Sequence, residues 1–259
     1  GGAWRSTDGG HTWTQIEQGW PAGQGIGAFH MHAGDPDQMF AAAGNALLIS
    51  RDAGRSWTAT GMPSAGAPLA ITTAPQDPTK IWVSTGRAVL HSSDGGVFWT
   101  LSFVPAEAQV NALWVVPDDA SRVLAATTSG LYRSRDAGST WLPVSEIAQA
   151  DARGLWSGAR PGEVYAQVGD GLAYSSDAGA TWSPLSTASS PNGMAGSVFR
   201  DWSDPDVLWS RAGGLLLISS NGGRNWLPVG GPLAFVPSYF VADGLTPRHL
   251  YADNAQGHQ

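Results

Sequence analysis

Apolar residues in this chain come in short bursts, each fenced by Gly, Pro, Asp or Asn. Examples are "IGAFHMHA" (26–33), "ALLIS" (46–50), "PLAITTA" (68–74), "GLYRS" (130–134) and "SYFVA" (238–242). Bursts of this length bounded by turn-formers predict β-strands. One class opens on a turn, Asp-Pro in three of six copies: "DPDQMF" ends at Phe40, "DPTKIW" at Trp82, "DASRVL" at Leu124, "RPGEVY" at Tyr165, "DPDVLW" at Trp209 and "TPRHLY" at Tyr251. In the five internal copies a serine follows ten residues later. That constant offset predicts a hairpin: strand, short Gly-containing turn, second strand.

The serine opens an octet that recurs six times: "STDGGHTW", "SRDAGRSW", "SSDGGVFW", "SRDAGSTW", "SSDAGATW" and "SSNGGRNW". The octets close on Trp13, Trp57, Trp99, Trp141, Trp182 and Trp226, at steps of 44, 42, 42, 41 and 44 residues. A period of about 40–45 residues marks a repeat fold, usually a propeller. Each repeat reads as four strands; in the third copy these are 109–116, 122–127, 130–134 and 140–144, with the octet between the last two. The first strand of each repeat is rich in small apolar residues, which suits burial between neighbouring sheets.

The fold class expected is therefore all-β: a six-bladed propeller of four-stranded antiparallel blades, forming one domain over 1–259. The blades fall at about 26–60, 68–102, 109–144, 151–185 and 194–229, with 237–254 joined to 2–16 as the sixth. The chain opens on what read as the outer two strands of a blade and ends on the inner two. Joining them closes a ring and removes exposed sheet edges. The competing reading is a stretch of a longer array.

The octet reads as a structural turn. The side chains of Asp8, Asp52, Asp94, Asp136 and Asp177 can accept backbone N–H bonds within their own turn. Asn221, a neutral acceptor, replaces the acid in the sixth copy, which fits holding a bend better than moving a proton. The glycine (Gly10, Gly54, Gly96, Gly138, Gly179, Gly223) is expected at positive φ, and the tryptophan is expected to pack between adjacent sheets. Ser-x-Asp-x-Gly-x-x-Trp resembles the Asp-box, or BNR, repeat of the sialidase-like superfamily. That repeat occurs in sialidases, the xyloglucan-hydrolase family, sortilin-like receptor domains and the photosystem II assembly-factor family. The resemblance implies a β-propeller whose boxes lie away from the active face. It does not choose a function.

Composition narrows the partners. The net charge is −7 with no run of Lys or Arg, against nucleic acid and anionic membrane surfaces. No apolar run approaches 18 residues, so no membrane span is expected. The chain has no cysteine, which excludes disulfides and thiolate metal sites.

Candidate chemistry belongs at the mouth of the central channel. The polar residues expected there are His30, His32, Asn111, Arg153, Arg200, Asp201, Tyr239 and Asp243. A sialidase needs an arginine triad, a Tyr–Glu pair and an acid. Only Arg153 and Arg200 fall on inner strands, and Tyr239 has no evident Glu partner, because Glu107, Glu146 and Glu163 read as loop or strand-edge residues. A glycosidase needs two carboxylates flanking the bond; Asp151, Asp201 and Asp243 are the candidates, against a plainer role capping turns or pairing with Arg153 and Arg200. His30 and His32 share a strand face, and two imidazoles can begin a metal site. Nothing in the spacing supplies further ligands, so neither metal nor cofactor is expected. Trp114 and Trp156 read as packing. Trp20 and Trp202 lie in loops and suit a protein or sugar interface. The expectation is a non-catalytic binding or scaffold propeller docking a protein partner, as a subunit or assembly factor of a larger membrane-associated complex. Trp20, His30, His32, Arg153, Arg200, Trp202 and Tyr239 are its candidate contacts, and its place is extracytoplasmic. The alternative is a carbohydrate-active protein, hydrolase or lectin.

Overall fold

The computed structural model describes residues 2–105, 108–147, 150–158, 160–169, 171–185, 199–200, 204, 206–212, 215–229, 240–242 and 250–252. Every regular element longer than a turn among them is a strand. No described helix is long and apolar enough to cross a membrane.

Five sheets have four strands each. The first is β3 (Phe29–Met31), β4 (Met39–Ala43), β5 (Ala46–Ser50) and β6 (Thr58–Ala59). The second is β7 (Ala70–Ala74), β8 (Asp77–Thr85), β9 (Ala88–Ser92) and β10 (Thr100–Phe103). The third is β11 (Val110–Val116), β12 (Asp119–Thr127), β13 (Gly130–Ser134) and β14 (Leu142–Pro143). The fourth is β15 (Ala152–Ser157), β16 (Val164–Val168), β17 (Gly171–Ser175) and β18 (Ser183–Leu185). The fifth is β19 (Phe199–Arg200), β20 (Leu208–Ala212), β21 (Leu215–Ser219) and β22 (Leu227–Pro228). Two pairs stand at the ends, β1 (Trp4–Arg5) with β2 (Thr14–Gln15), and β23 (Phe240–Ala242) with β24 (Leu250–Ala252). Each four-stranded sheet runs in sequence order, as hairpin-linked antiparallel strands must. The four strands expected in the third repeat reappear, with ends displaced by up to three residues.

The chain divides into two compact units, Gly1–Val144 with Gln149–Arg153, and Ser145–Ala148 with Gly154–Gln259. Within each, the core lies on second and third strands. β4 and β5 both read half-buried then fully buried, and Phe40, Leu47, Leu48, Ile81, Trp82, Leu90 and Leu131 are almost wholly enclosed. Middle strands have hydrogen-bonded neighbours on both sides and can be covered on both faces, which is why their sequences are continuous apolar runs.

First strands differ in burial: β11 is buried from Leu113 to Val116, as expected, whereas β3 and β7 depart from the expectation. Phe29 and Met31 on β3 are exposed, and only the C-terminal half of β7 is buried.

All six octets form one closed turn. The serine Oγ accepts the N–H of the glycine four residues on at 2.7–2.9 Å. It donates to the Asp Oδ1 at 2.7–2.8 Å, and to Asn221 Oδ1 at 3.0 Å. That Oδ1 then accepts the N–H of the seventh residue at 2.8–3.0 Å. The octet glycines have φ between 77° and 91°. The residue before each is also left-handed: Gly9, Gly95 and Gly222, but Ala53, Ala137 and Ala178 at 57–58°. Two successive positive φ values turn the chain tightly enough for the serine to reach forward.

Five octet tryptophans are buried or half-buried; Trp57, Trp141, Trp182 and Trp226 are 3–6% exposed. Trp57 meets Trp20 edge-on with ring centroids 5.4 Å apart, and Trp226 packs with Tyr165 and Leu208. Trp13 is the exception to the packing expected of all six: it is 59% exposed. It directly precedes β2 of the two-stranded β1–β2 pair, and no buried cluster among the described residues includes it.

Candidate functional site

Four octet carboxylates gain a further bond, because Thr12, Ser56, Thr140 and Thr181 each donate a hydroxyl to Oδ2 at 2.6 Å. All these bonds favour the charged form. The hydroxyl and N–H of Thr12 hold Asp8 down at about 2, and those of Ser56 hold Asp52 at about 2. In Asp94 the N–H of Phe98 lowers the pKa. In Asp136 and Asp177 desolvation pulls upward, yet the bonds from Thr140 and Thr181 outweigh it and the net shift is down. The boxes are ionised turn-holders, not proton donors.

His30 and His32 do share a face, and both turn to the same atom. His30 Nε2 and His32 Nδ1 each lie 2.9 Å from Thr73 Oγ1 on β7. One hydroxyl offers one proton, so at least one imidazole donates. Desolvation first, and the neighbouring His32 second, push His30 down to about 4. Among the described residues no cluster of three His, Asp or Glu could hold a metal ion. The pair is a hydrogen-bonded strut between β3 and β7.

Asp151 meets Arg153 Nε at 2.8 Å through Oδ2, and Asn111 Nδ2 at 3.3 Å through Oδ1. Asn111 also donates to the Ala152 carbonyl at 2.8 Å. The turn-and-pair role is thus the one the structure gives Asp151. Trp20, expected in an exposed loop, is buried, with its Nε1 donating to the Gln24 carbonyl at 2.8 Å. It belongs to the core with Ala41, Leu48 and Trp57, so the contact role assigned to it is withdrawn. Trp114 is buried and Trp156 packs on a core cluster, as expected. Arg200 falls on β19, but its side chain, like Asp201, Trp202, Tyr239 and Asp243, lies outside the described residues.

One constellation was missed. Glu163, at the mouth of β16, accepts Tyr174 Oη at 2.9 Å, the Arg160 N–H at 3.0 Å and Arg160 Nη1 at 3.2 Å. Arg160 Nη2 reaches across to both oxygens of Asp206, at 2.9 and 3.2 Å. Tyr165 Oη donates to the Gly222 carbonyl at 2.9 Å. Together with Asn221 and Arg224 they line an open cleft of about 380 Å³. Glu163 is a strand-edge residue, as expected, and the tyrosine it meets is Tyr174. The signal was the hairpin register, which sets Tyr165 opposite Tyr174 and so brings Glu163 alongside. Desolvation raises Glu163, but the Arg160 N–H, Tyr174 and the guanidinium overcome it and keep it ionised. Burial and the bond to Glu163 raise Tyr174, so its phenol keeps its proton at neutral pH. The cluster clamps the fourth sheet to the fifth; it does not activate a nucleophile.

Solved structures show the same architecture. A GH74 xyloglucanase from Xanthomonas campestris matches at TM-score 0.69 and 22% identity, over 90% of this chain and 42% of its own. An ancestral GH74 enzyme matches at 0.70 and 17%, over 93% of this chain and 36% of its own. YCF48 bound to D1 peptide matches at 0.65 and 17%, over 95% of this chain and 81% of its own. The fold is a β-propeller. The propeller spans about two fifths of the GH74 chains but most of the YCF48 chain. No family model matches the sequence, and no curated protein does either. At these identities the likeness establishes the fold alone.

Proposed function

We propose that this propeller is a non-catalytic binding module that docks a protein partner, as a subunit or assembly factor of a larger, membrane-associated complex outside the cytoplasm. In this reading residues 237–254 pair with 2–16 as a sixth blade and close the ring. What supports the proposal is a match over most of both lengths to a protein seen bound to a peptide, together with the state of the described carboxylates. Every described carboxyl whose pKa departs from its ordinary value is pushed down, each by bonds that favour the ionised form. A glycosidase needs one carboxyl raised enough to hold a proton near neutral pH, whereas a docking surface needs none.

The second reading, a carbohydrate-active protein, draws on the GH74 neighbours. It would rest on Asp201 and Asp243. The deciding experiment is a pull-down from an extract of the source organism with a glycan array run beside it. Saturable retention of one protein and no glycan turnover supports docking. Glycan hydrolysis with no retained protein reverses the ranking.

A further inference from the structure

The outermost strands of the sheets are not alike. In each, the third residue after the octet tryptophan pairs inward: Ile16, Thr60, Val144 and Val229 donate their N–H to Ala3, Leu47, Leu131 and Leu216. In an antiparallel ladder the alternate position, two after the tryptophan, therefore aims its N–H and C=O at the free edge. Three sheets put proline there: Pro143 on β14, Pro184 on β18 and Pro228 on β22. A proline offers no N–H and blocks the pairing of a further strand. β2 and β6 are two residues long and mainly polar.

β10 breaks this pattern. It is four residues long, Thr100–Phe103, and it ends its sheet. The place held by proline elsewhere is Leu101, and Phe103 is the next outward position. Both side chains are exposed, 47% and 64%. Ser102, between them, turns the other way, its Oγ donating to the carbonyls of Val89 and Gly138. Beside the strand lie Val97 and Phe98, 60% and 77% exposed. Phe98 fills the octet position where four other copies have a hydroxyl bound to the carboxylate, so it gives up a bond that the turn otherwise makes.

We propose that the free edge of β10 receives an extended apolar segment of a partner protein as a fifth strand. This rests on the protein-docking reading and names its surface. Outward N–H and C=O groups at Leu101 and Phe103 can be satisfied together only by another extended backbone. Leu101, Phe103, Val97 and Phe98 select apolar side chains at alternate positions of it. A second copy is the poorer occupant. A four-residue edge spans about 13 Å, and two rigid sheets meeting edge to edge there would bury far less than the ~1,000 Å² a stable interface needs. A flexible segment can pair with the edge and also bend over Phe98.

The test uses the full chain. Eight-residue peptides are selected from a random phage library, and the enriched ones are synthesised, with and without alternate backbone N-methylation. Their affinity is read by fluorescence anisotropy for wild type, Leu101→Pro and Phe103→Lys, alongside circular dichroism and Tm. Leu101→Pro copies what three other sheets carry and is expected to fold; Phe103→Lys perturbs the edge without touching the backbone. The expected result is peptides with alternating apolar residues whose binding weakens at least tenfold in each variant and on N-methylation, at unchanged Tm. Enrichment of no peptide, or equal binding by Leu101→Pro, overturns the proposal. So does a wild-type dimer that Leu101→Pro dissolves. A native partner bound equally by wild type and both variants would leave the docking reading standing and remove only this site.

Discussion

Truncating two tryptophans that occupy the same place in the same octet should have very different costs. Trp141 is 5% exposed and Trp13 is 59% exposed. The difference is about half an indole side chain, roughly 100 Å² of the ~200 Å² such a ring can bury. At about 25 cal/mol per Å² that is ~2.5 kcal/mol. Trp141 also donates its Nε1 to Ser102 Oγ at 3.2 Å and packs among Val123, Ala125 and Tyr132. Trp141→Ala should therefore cost about 4 kcal/mol, the range for emptying a large aromatic site. Trp13→Ala should cost about 1.5 kcal/mol. Both residues belong to the unit Gly1–Val144, so one unfolding transition can report on both. Urea titration by far-ultraviolet circular dichroism gives the comparison, provided the m-values agree. For a chain of this size the thermal shifts would be roughly 8–16 °C and 3–6 °C. Costs within ~1 kcal/mol of one another would refute the reasoning, because position in the octet, not burial, would then set the tryptophan's worth.

Acid should weaken the first sheet's contact with the second. His30 titrates at about 4 when folded against 6.5 when free, so the folded state resists protonation. Its contribution is intact above about pH 6.5 and is lost as the pH falls from there toward 4. Between pH 7.5 and 5 the loss is about 2 kcal/mol, visible in urea midpoints and abolished in His30→Asn. Ala53→Gly should stabilise by about 1 kcal/mol, raising Tm by a few degrees, because an alanine held at φ 57° is strained where glycine is not. Glu163→Gln has one acceptor oxygen where the carboxylate uses two, so it keeps Tyr174 or the Arg160 N–H but not both; it should cost about 1–2 kcal/mol, since Arg160 is solvated and retains Asp206. Glu163→Ala strands both donors and should cost about 3 kcal/mol, measured by the same titration.

Much of the architecture is legible in the sequence. The span 46–50 reads as a strand and is one; the third repeat's four strands are displaced by only a few residues at their ends. The octet's role was readable from Asn221 standing where five copies have Asp. The site was much less legible. Trp20 sits in a Gly- and Pro-containing loop and reads as a contact residue, yet it is core, because Trp57 lies against it. The clamp of Arg160, Glu163 and Asp206 joins residues up to 46 positions apart, and Thr73 gathers two histidines more than 40 positions away.

The divide has a physical cause. Turn closure, hairpin length and strand alternation are set by groups within about ten residues of each other, and every copy of the repeat carries that information in its own residues. That is why the sequence by itself determines an all-β chain of four-stranded sheets closed by ionised turns. Which repeated position is buried and which carboxylate meets an arginine depend on what a neighbouring sheet presents. Trp13 and Trp141 have the same local motif and opposite surroundings, and only tertiary structure tells them apart.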